Sequence, residues 1–485
     1  GFTLESGKAT NILLVIDHYS MTNGDKVQGI VLQNWVKGEC LYTTEGVSSY
    51  SNVFGIIKVV ANQLYVSINN SGDAYNVKSL TKGSVNYQEI ISLKLSADAG
   101  EDRVINKIKI SLVYTNSAGD SDWTNFRLLF DNNTIGTYEG ADNMIATVTQ
   151  PSSGVVQFVG ISGLTVKESD ITNLLITFDY LSLSGGKGLK AIIKTNWIES
   201  YGITTGITNT SEGSGEGIWK KAPSDLYIFN NNIGDAANRR FTKAAENNME
   251  ILSVKLSAST GEDIVINQII LSNSFIGGAT SGDFNNVLLY VDNSIVGTWA
   301  DPPDVFLKFS ASSATQMNFA GISGVTVPEN GTTNIIIVMN HGALQSGEGI
   351  LSYIASNMIT GTGQFTGDTI KNITVASGTS KIVPGELSIS LYSNGDSIIK
   401  SLTKSSEINH ELIALKLSAN NAENLVINKM GISLDYIGGA TDSDWTNARM
   451  FIDNGTLGTY NSGVDIFVSA TNPLSGTLLF NNISG

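Results

Sequence analysis

The sequence is poor in the residues that carry cross-links and chemistry. It has one cysteine, Cys40, so no disulfide can form within the chain. Three histidines are its whole supply of side chains that titrate near neutrality. Lysine and arginine total 29 against 44 acidic residues, a net charge of -15. That balance argues against nucleic acid or an anionic membrane as partner, because both need clustered cations. No apolar run approaches the roughly 18 residues of a membrane span; Asn11 to Ile16 is typical of the longest. Neither a signal peptide nor an initiator methionine is visible, which suits a mature or internal segment. What the chain does have is glycine, 50 residues of it, with abundant Asn, Ser and Thr. These are the residues of turns between short strands.

The sequence is one unit written three times. Gly1-Phe2-Thr3-Leu4 matches Gly163-Leu164-Thr165-Val166 and Gly324-Val325-Thr326-Val327. Asn482-Ile483-Ser484-Gly485 matches the Ile-Ser-Gly stretches that lead into those starts. A fixed period marks an array. One unit is large enough to bury most of its unfolded surface without staples.

Strand signals dominate the unit. Ile91, Leu93 and Leu95 alternate with Ser92, Lys94 and Ser96, the two-residue period of a half-buried strand. A second strand is expected over Val104-Ile105-Asn106-Lys107-Ile108 and a third over Arg127 to Phe130. Asp131-Asn132-Asn133 predicts a tight turn into a hairpin strand Thr134–Tyr138, and Asp453-Asn454-Gly455 predicts the same in the third copy. Val155 to Phe158 and Leu174 to Phe178 read as further strands. The Ile-Ser-Gly point reads as a hairpin inside a domain. No long helical period with caps occurs, so little helix is expected.

The least similar part of each unit runs to just before Leu64, Leu226 and Leu387, and the domain junctions are expected there. The domains expected are complete β-sandwiches at 63–221 and 226–382, the last strands of a sandwich at 1–62, and the first strands of one at 387–485. The two partial domains would expose apolar faces and unpaired edges. Each would be completed by a neighbouring copy. The join is either covalent, within a longer polypeptide, or made by strand donation between chains.

The recurring Leu-Lys-Leu-Ser-Ala strand, Glu-Asp loop, Val-Ile-Asn strand, Asp-Trp-Thr-Asn strand entry and Asp-Asn turn resemble tandem immunoglobulin-like β-sandwich repeats of prokaryotic surface proteins. Such repeats build stalks, fibres and surface layers. The resemblance implies an all-β fold, with tandem immunoglobulin-like β-sandwich domains in a linear array, and roles in scaffolding and attachment at the cell surface. Gly1-Phe2-Thr3-Leu4-Glu5 also resembles a type IV pilin processing site. The Ser6-Gly7-Lys8 that follows does not continue that pattern, and the repeat already accounts for these residues.

Candidate chemistry is thin. His18, His341 and His410 are expected in loops or at the surface, and Cys40 has no nearby histidine partner. Asp120 and Asp122, with their copies Asp442 and Asp444, have the spacing of oxygen ligands for calcium; an Asx turn is the alternative. Lys94, Glu101 and Asn106 recur in every copy and supply the residue types of an intramolecular isopeptide bond. The strand alternation, however, sends Lys94 toward solvent. Asn-x-Ser/Thr sequons at Asn69, Asn132, Asn209, Asn330, Asn372, Asn454 and Asn482 are candidate glycosylation sites. The tryptophans exchange with other large apolar residues between copies, which suits packing; Trp219 is the exception. No polar constellation recurs that would make an enzyme. The expectation is an extracellular structural filament whose partners are further copies of itself, head-to-tail. The alternatives are an adhesin stalk that binds glycan or a surface-layer lattice protein.

Overall fold

The structure is a computed structural model, and it describes residues 1–140, 142–300, 302–420, 422–481 and 483. The chain is all-β. Short helical turns such as Gly72–Asn76 are the exception. Two stretches, 64–221 and 226–382, each contain two sheets around one apolar core.

In the first stretch a five-stranded sheet has the order Met144–Val148, Trp123–Phe130, Ile171–Tyr180, Val85–Ala97, Leu64–Ile68. The facing sheet is built on the long strand Arg103–Thr115. Ile198–Gly202, Gly188–Ile193, Val155–Val159 and Thr165–Val166 all lie antiparallel to it. The second stretch repeats this order, with Thr332–His341 between Glu246–Ala258 and Phe284–Val291. The alternation expected from sequence produces the core: Leu93 and Leu95 are fully buried while Lys94 and Ser96 are half-exposed. Trp123 lies buried edge-on to Phe178, with ring centroids 5.6 Å apart. Each such side chain contributes about 1.5–3 kcal/mol by leaving water.

Two expected hairpins are absent. Thr134–Tyr138 is not a strand; Trp123–Phe130 pairs instead with Met144–Val148. The intervening loop is pinned by Asp131, whose carboxylate accepts the Ser92 hydroxyl at 2.7 Å and the Gly136 N–H at 2.9 Å. Gly136 then sits against the Ser71 and Gly72 backbone, which leaves no space for a side chain, and its φ of 86° also favours glycine. At Ile161–Gly163 the chain does not reverse. Val155–Val159 and Thr165–Val166 follow one another along the same partner strand.

The stretches 1–62 and 387–483 differ from the two sandwiches. They hold two-stranded ladders such as Lys37–Glu39 with Gly46–Ser48 and Leu387–Leu391 with Leu415–Ala419. Their apolar residues are largely exposed, among them Leu13, Leu14, Tyr42, Leu391 and Val426. Among the described residues, no strand pairing joins 1–62 to 387–483.

Candidate interdomain junction

A set of contacts recurs where one stretch meets the next. Gly186, in the loop after Ile171–Tyr180, meets Gly261 of the second sandwich. Both have positive φ, 78° and 142°. A side-chain carbon on Gly261 would stand 2.7 Å from the Gly186 Cα, closer than atoms can approach. The pair therefore needs glycine for space as well as for conformation. The same contact recurs at equivalent positions. A carbon on Gly100 would stand 2.7 Å from the Gly24 Cα, and one on Gly347 would stand 2.9 Å from the Ala422 Cα.

Backbone and charged contacts recur with it. The N–H groups of Asp98, Ser259 and Asn420 donate to the carbonyls of Gln63, Asp225 and Glu386 at 3.2, 2.9 and 3.1 Å. Lys82 forms an ion pair with Asp225, and Lys243 forms the matching pair with Glu386. The buried Asn62 donates to the carbonyls of Asp98 and Glu101, both at 2.7 Å. The buried Ser224 hydroxyl, at the same phase, accepts the Glu262 N–H at 2.8 Å. Further contacts span the first two sandwiches: the Ser79 hydroxyl donates to the Asp368 carboxylate, and the Lys78 and Lys221 ammonium groups lie 5.7 and 4.9 Å from the centre of the Phe365 ring.

Inside each sandwich a buried carboxylate and a buried lysine tie the divergent segment to the repeated strands. Glu101 accepts the N–H groups of Thr204 and Thr205 at 3.0 and 2.9 Å and the Thr205 hydroxyl at 2.7 Å. Glu262 holds Phe365 and Thr366 in the same way. The Lys220 ammonium donates to the carbonyls of Asp73 and Val77, each at 2.6 Å, and Lys381 does so to Asp235 and Asn238. Burial pushes both ammonium groups down to about 8, against the opposing attraction of Glu89 and Asp73 or of Glu250 and Asp235. Sequence reasoning misses these lysines because they stand in a Gly/Ser/Thr-rich stretch. The available signal is that Lys58, Lys220 and Lys381 share one phase of the repeat.

The expected sites fall elsewhere. Asp120 accepts the Tyr114 hydroxyl at 2.5 Å and the Gly154 N–H at 3.0 Å, while Asp122 caps Gly119 and pairs with Lys187 at 2.7 Å. Asp442 accepts from Tyr436 and Gly476, and Asp444 from Thr441. These carboxylates staple a loop with protein donors. Among the described residues no group of three or more His, Cys, Asp or Glu side chains is placed to hold a metal ion.

Of the sequons, Asn132, Asn330 and Asn454 are exposed, and Asn69 and Asn209 are partly buried. Asn372 is fully buried, with its amide donating to Ala355 and Thr374, so it offers no free nitrogen to a glycan. Asn482 lies outside the described residues. His341 is a correction to the loop expectation. It is on a strand, buried, 4.7 Å from the Phe241 ring centre. His18 and His410 are exposed. Lys94 is half-exposed and its copy Lys255 is exposed.

No protein-family model matches the chain, and no curated protein matches it. Solved structures with some likeness include the C-terminal domain of the AgI/II polypeptide BspA of Streptococcus agalactiae, at 8% identity, covering 65% of this chain and 99% of that chain, with a TM-score of 0.21. The C-terminal domain of the antigen I/II-family protein AspA of Streptococcus pyogenes has 9% identity, coverages of 66% and 99%, and a TM-score of 0.22. The E. coli adhesin CfaE has 10% identity, coverages of 59% and 95%, and a TM-score of 0.21. Likenesses at this level carry no part of the functional reading. No helix among the described residues is long and apolar enough to cross a membrane.

Proposed function

We propose that the chain is a structural component of an extracellular filament at the cell surface, a rod of β-sandwiches joined head-to-tail. The observation that carries this reading is the junction. The same close backbone contact and backbone hydrogen bond recur where each stretch meets the next, and the lysine–carboxylate pair recurs at two of the three junctions. A repeated heterologous contact extends along one axis wherever its rotation does not close a ring. The acidic surface suits a thread that must not collapse on itself.

Electron microscopy of the concentrated chain tests the reading. It expects unbranched threads beaded at the length of one sandwich. Sheets would favour a surface-layer lattice, and dispersed monomers at every concentration would overturn the filament. Gel mass after full denaturation then separates a covalent from a non-covalent join.

A second reading, an adhesin stalk, has one observation in its favour. Trp219 is only partly buried, with the ammonium groups of Lys190 and Lys221 at 5.6 and 5.9 Å from its ring. The ring offers a face on which a sugar can stack, with the Lys221 ammonium beside it, while Lys190 pairs with Glu216 at 2.6 Å. Glycan-array binding that is lost in Trp219→Ala would support the stalk.

A further inference from the structure

In both sandwiches the central strand of the five-stranded sheet is clasped on two sides. Ile171–Tyr180 lies between Val85–Ala97 and Trp123–Phe130. The strands at the matching phase of the 387–483 stretch are Leu415–Ala419 and Ala448–Ile452. Among the described residues, each is paired on one side only, with Leu387–Leu391 and Ile466–Thr471. In the sheet order of the two sandwiches, one strand lies between these two positions. The residues at the matching phase of Ile171–Tyr180 are 9–18. They form no strand, and Ile12 to Ile16 are 72–86% exposed. Their counterparts Leu174, Leu175, Ile176 and Phe178 are fully buried.

Charge identifies the occupant. In the first sandwich the Asp179 carboxylate takes both arms of the Arg127 guanidinium at 2.5 and 2.7 Å, and Asn125 at 2.9 Å. The counterparts are Asp17 on one stretch and Arg449 and Asn447 on the other. The second sandwich has Asn340 and Leu288 at these positions, so the ion pair is not a general feature of the unit. It recurs only in residues divided between the two exposed stretches. The buried lysine divides in the same way. Lys58 is the counterpart of Lys220, and Glu411 that of Glu89. Two positions fit less well. Lys37 falls opposite Lys429, where the first sandwich has Glu199 opposite Lys107 at 2.5 Å. Cys40 stands where Gly202 touches the Glu101 carboxylate, so the flexible Glu423 side chain must move aside there.

Resting on the filament reading, we propose that residues 9–18 of one copy form the strand between Leu415–Ala419 and Ala448–Ile452 of a second copy, with the Asp17 carboxylate on the Arg449 guanidinium. The donated strand removes two open edges and a row of apolar side chains from water in one step.

Two charge reversals in the full chain test it. Asp17→Arg and Arg449→Asp each place like charges across the junction, and each chain alone is expected to sediment as threads at least about tenfold less than wild type. Mixed in equal amounts they are expected to recover thread formation. When the two chains alternate along a thread, every junction again pairs opposite charges: the two native residues at one, the two introduced ones at the next. Threads from either variant alone at the wild-type level would overturn strand donation and leave the filament reading intact. So would a mixture no better than its components. A wild-type chain that forms no threads would overturn the filament reading, and this one with it.

Discussion

Glu101 shows how one buried carboxylate can be organised in two ways. In the first sandwich Arg103 stands beside it, fully buried, 3.6 Å away and bonded to Ser200. In the second, Glu262 keeps the same three donors while Ile264 takes the arginine's phase. The charge of the arginine is therefore dispensable to the loop. Arg103→Ile is expected to cost less than Glu101→Gln, because Glu101 keeps three hydrogen-bond donors, as Glu262 does beside Ile264. Glu101→Gln keeps the size but leaves that guanidinium buried without a counter-charge, and is expected to cost about 3–5 kcal/mol. Urea unfolding of the two variants measures both. Lys220 and Lys381 give a pH dependence of definite sign. Each is held near 8 when folded and returns to 10.5 when unfolded. Between those values the unfolded chain binds protons that the folded one has released, so stability rises with pH. The unfolding midpoint is expected to climb from pH 8 to 10, by at most about 1.4 kcal/mol per pH unit for each lysine. The slope should vanish in Lys220→Met with Lys381→Met.

Among the elements, strands with strict apolar alternation are directly legible. Leu93 and Leu95 face the core because the pleat sends every second side chain the same way. Thr134–Tyr138 misleads because its composition is that of a strand. What decides its path is tertiary: Asp131 takes the Gly136 N–H, and Tyr138 packs on Leu129 and Leu175 across the face of the sheet. Asp292 and Asp453 do the same for Gly297 and Gly458, at 2.7 and 2.6 Å. Asp131→Ala should strand the Ser92 hydroxyl and the Gly136 N–H, costing about 1–3 kcal/mol. Hydrogen exchange at 134–138 should quicken before the sheet itself opens. The buried lysines and His341 are illegible for a related reason. A polar residue in a flexible-looking segment reads as solvated until the fold brings carbonyls or aromatic rings to it.

At the scale of the whole molecule, the junction glycines connect sequence to shape. They read as turn residues, and only the contact between Gly186 and Gly261 reveals them as an interface. Gly186→Val is expected to leave unfolding of both sandwiches nearly unchanged while prying the junction open. Overpacking costs about 1–3 kcal/mol in a packed site, and here it falls on the contact between two bodies. Small-angle scattering should show a changed longest dimension, and threads of this variant should be bent or absent.

The recurrence of that glycine contact at Gly24, Gly186 and Gly347 has a geometric corollary. An identical displacement applied again and again is a screw operation, and any rotation it contains accumulates into a helical pitch. The pitch of the assembled thread would thus be written in the shape of two facing loops. A change of a few degrees at that hinge, repeated along the length, would retune how the thread coils and bundles, with no change inside any sandwich.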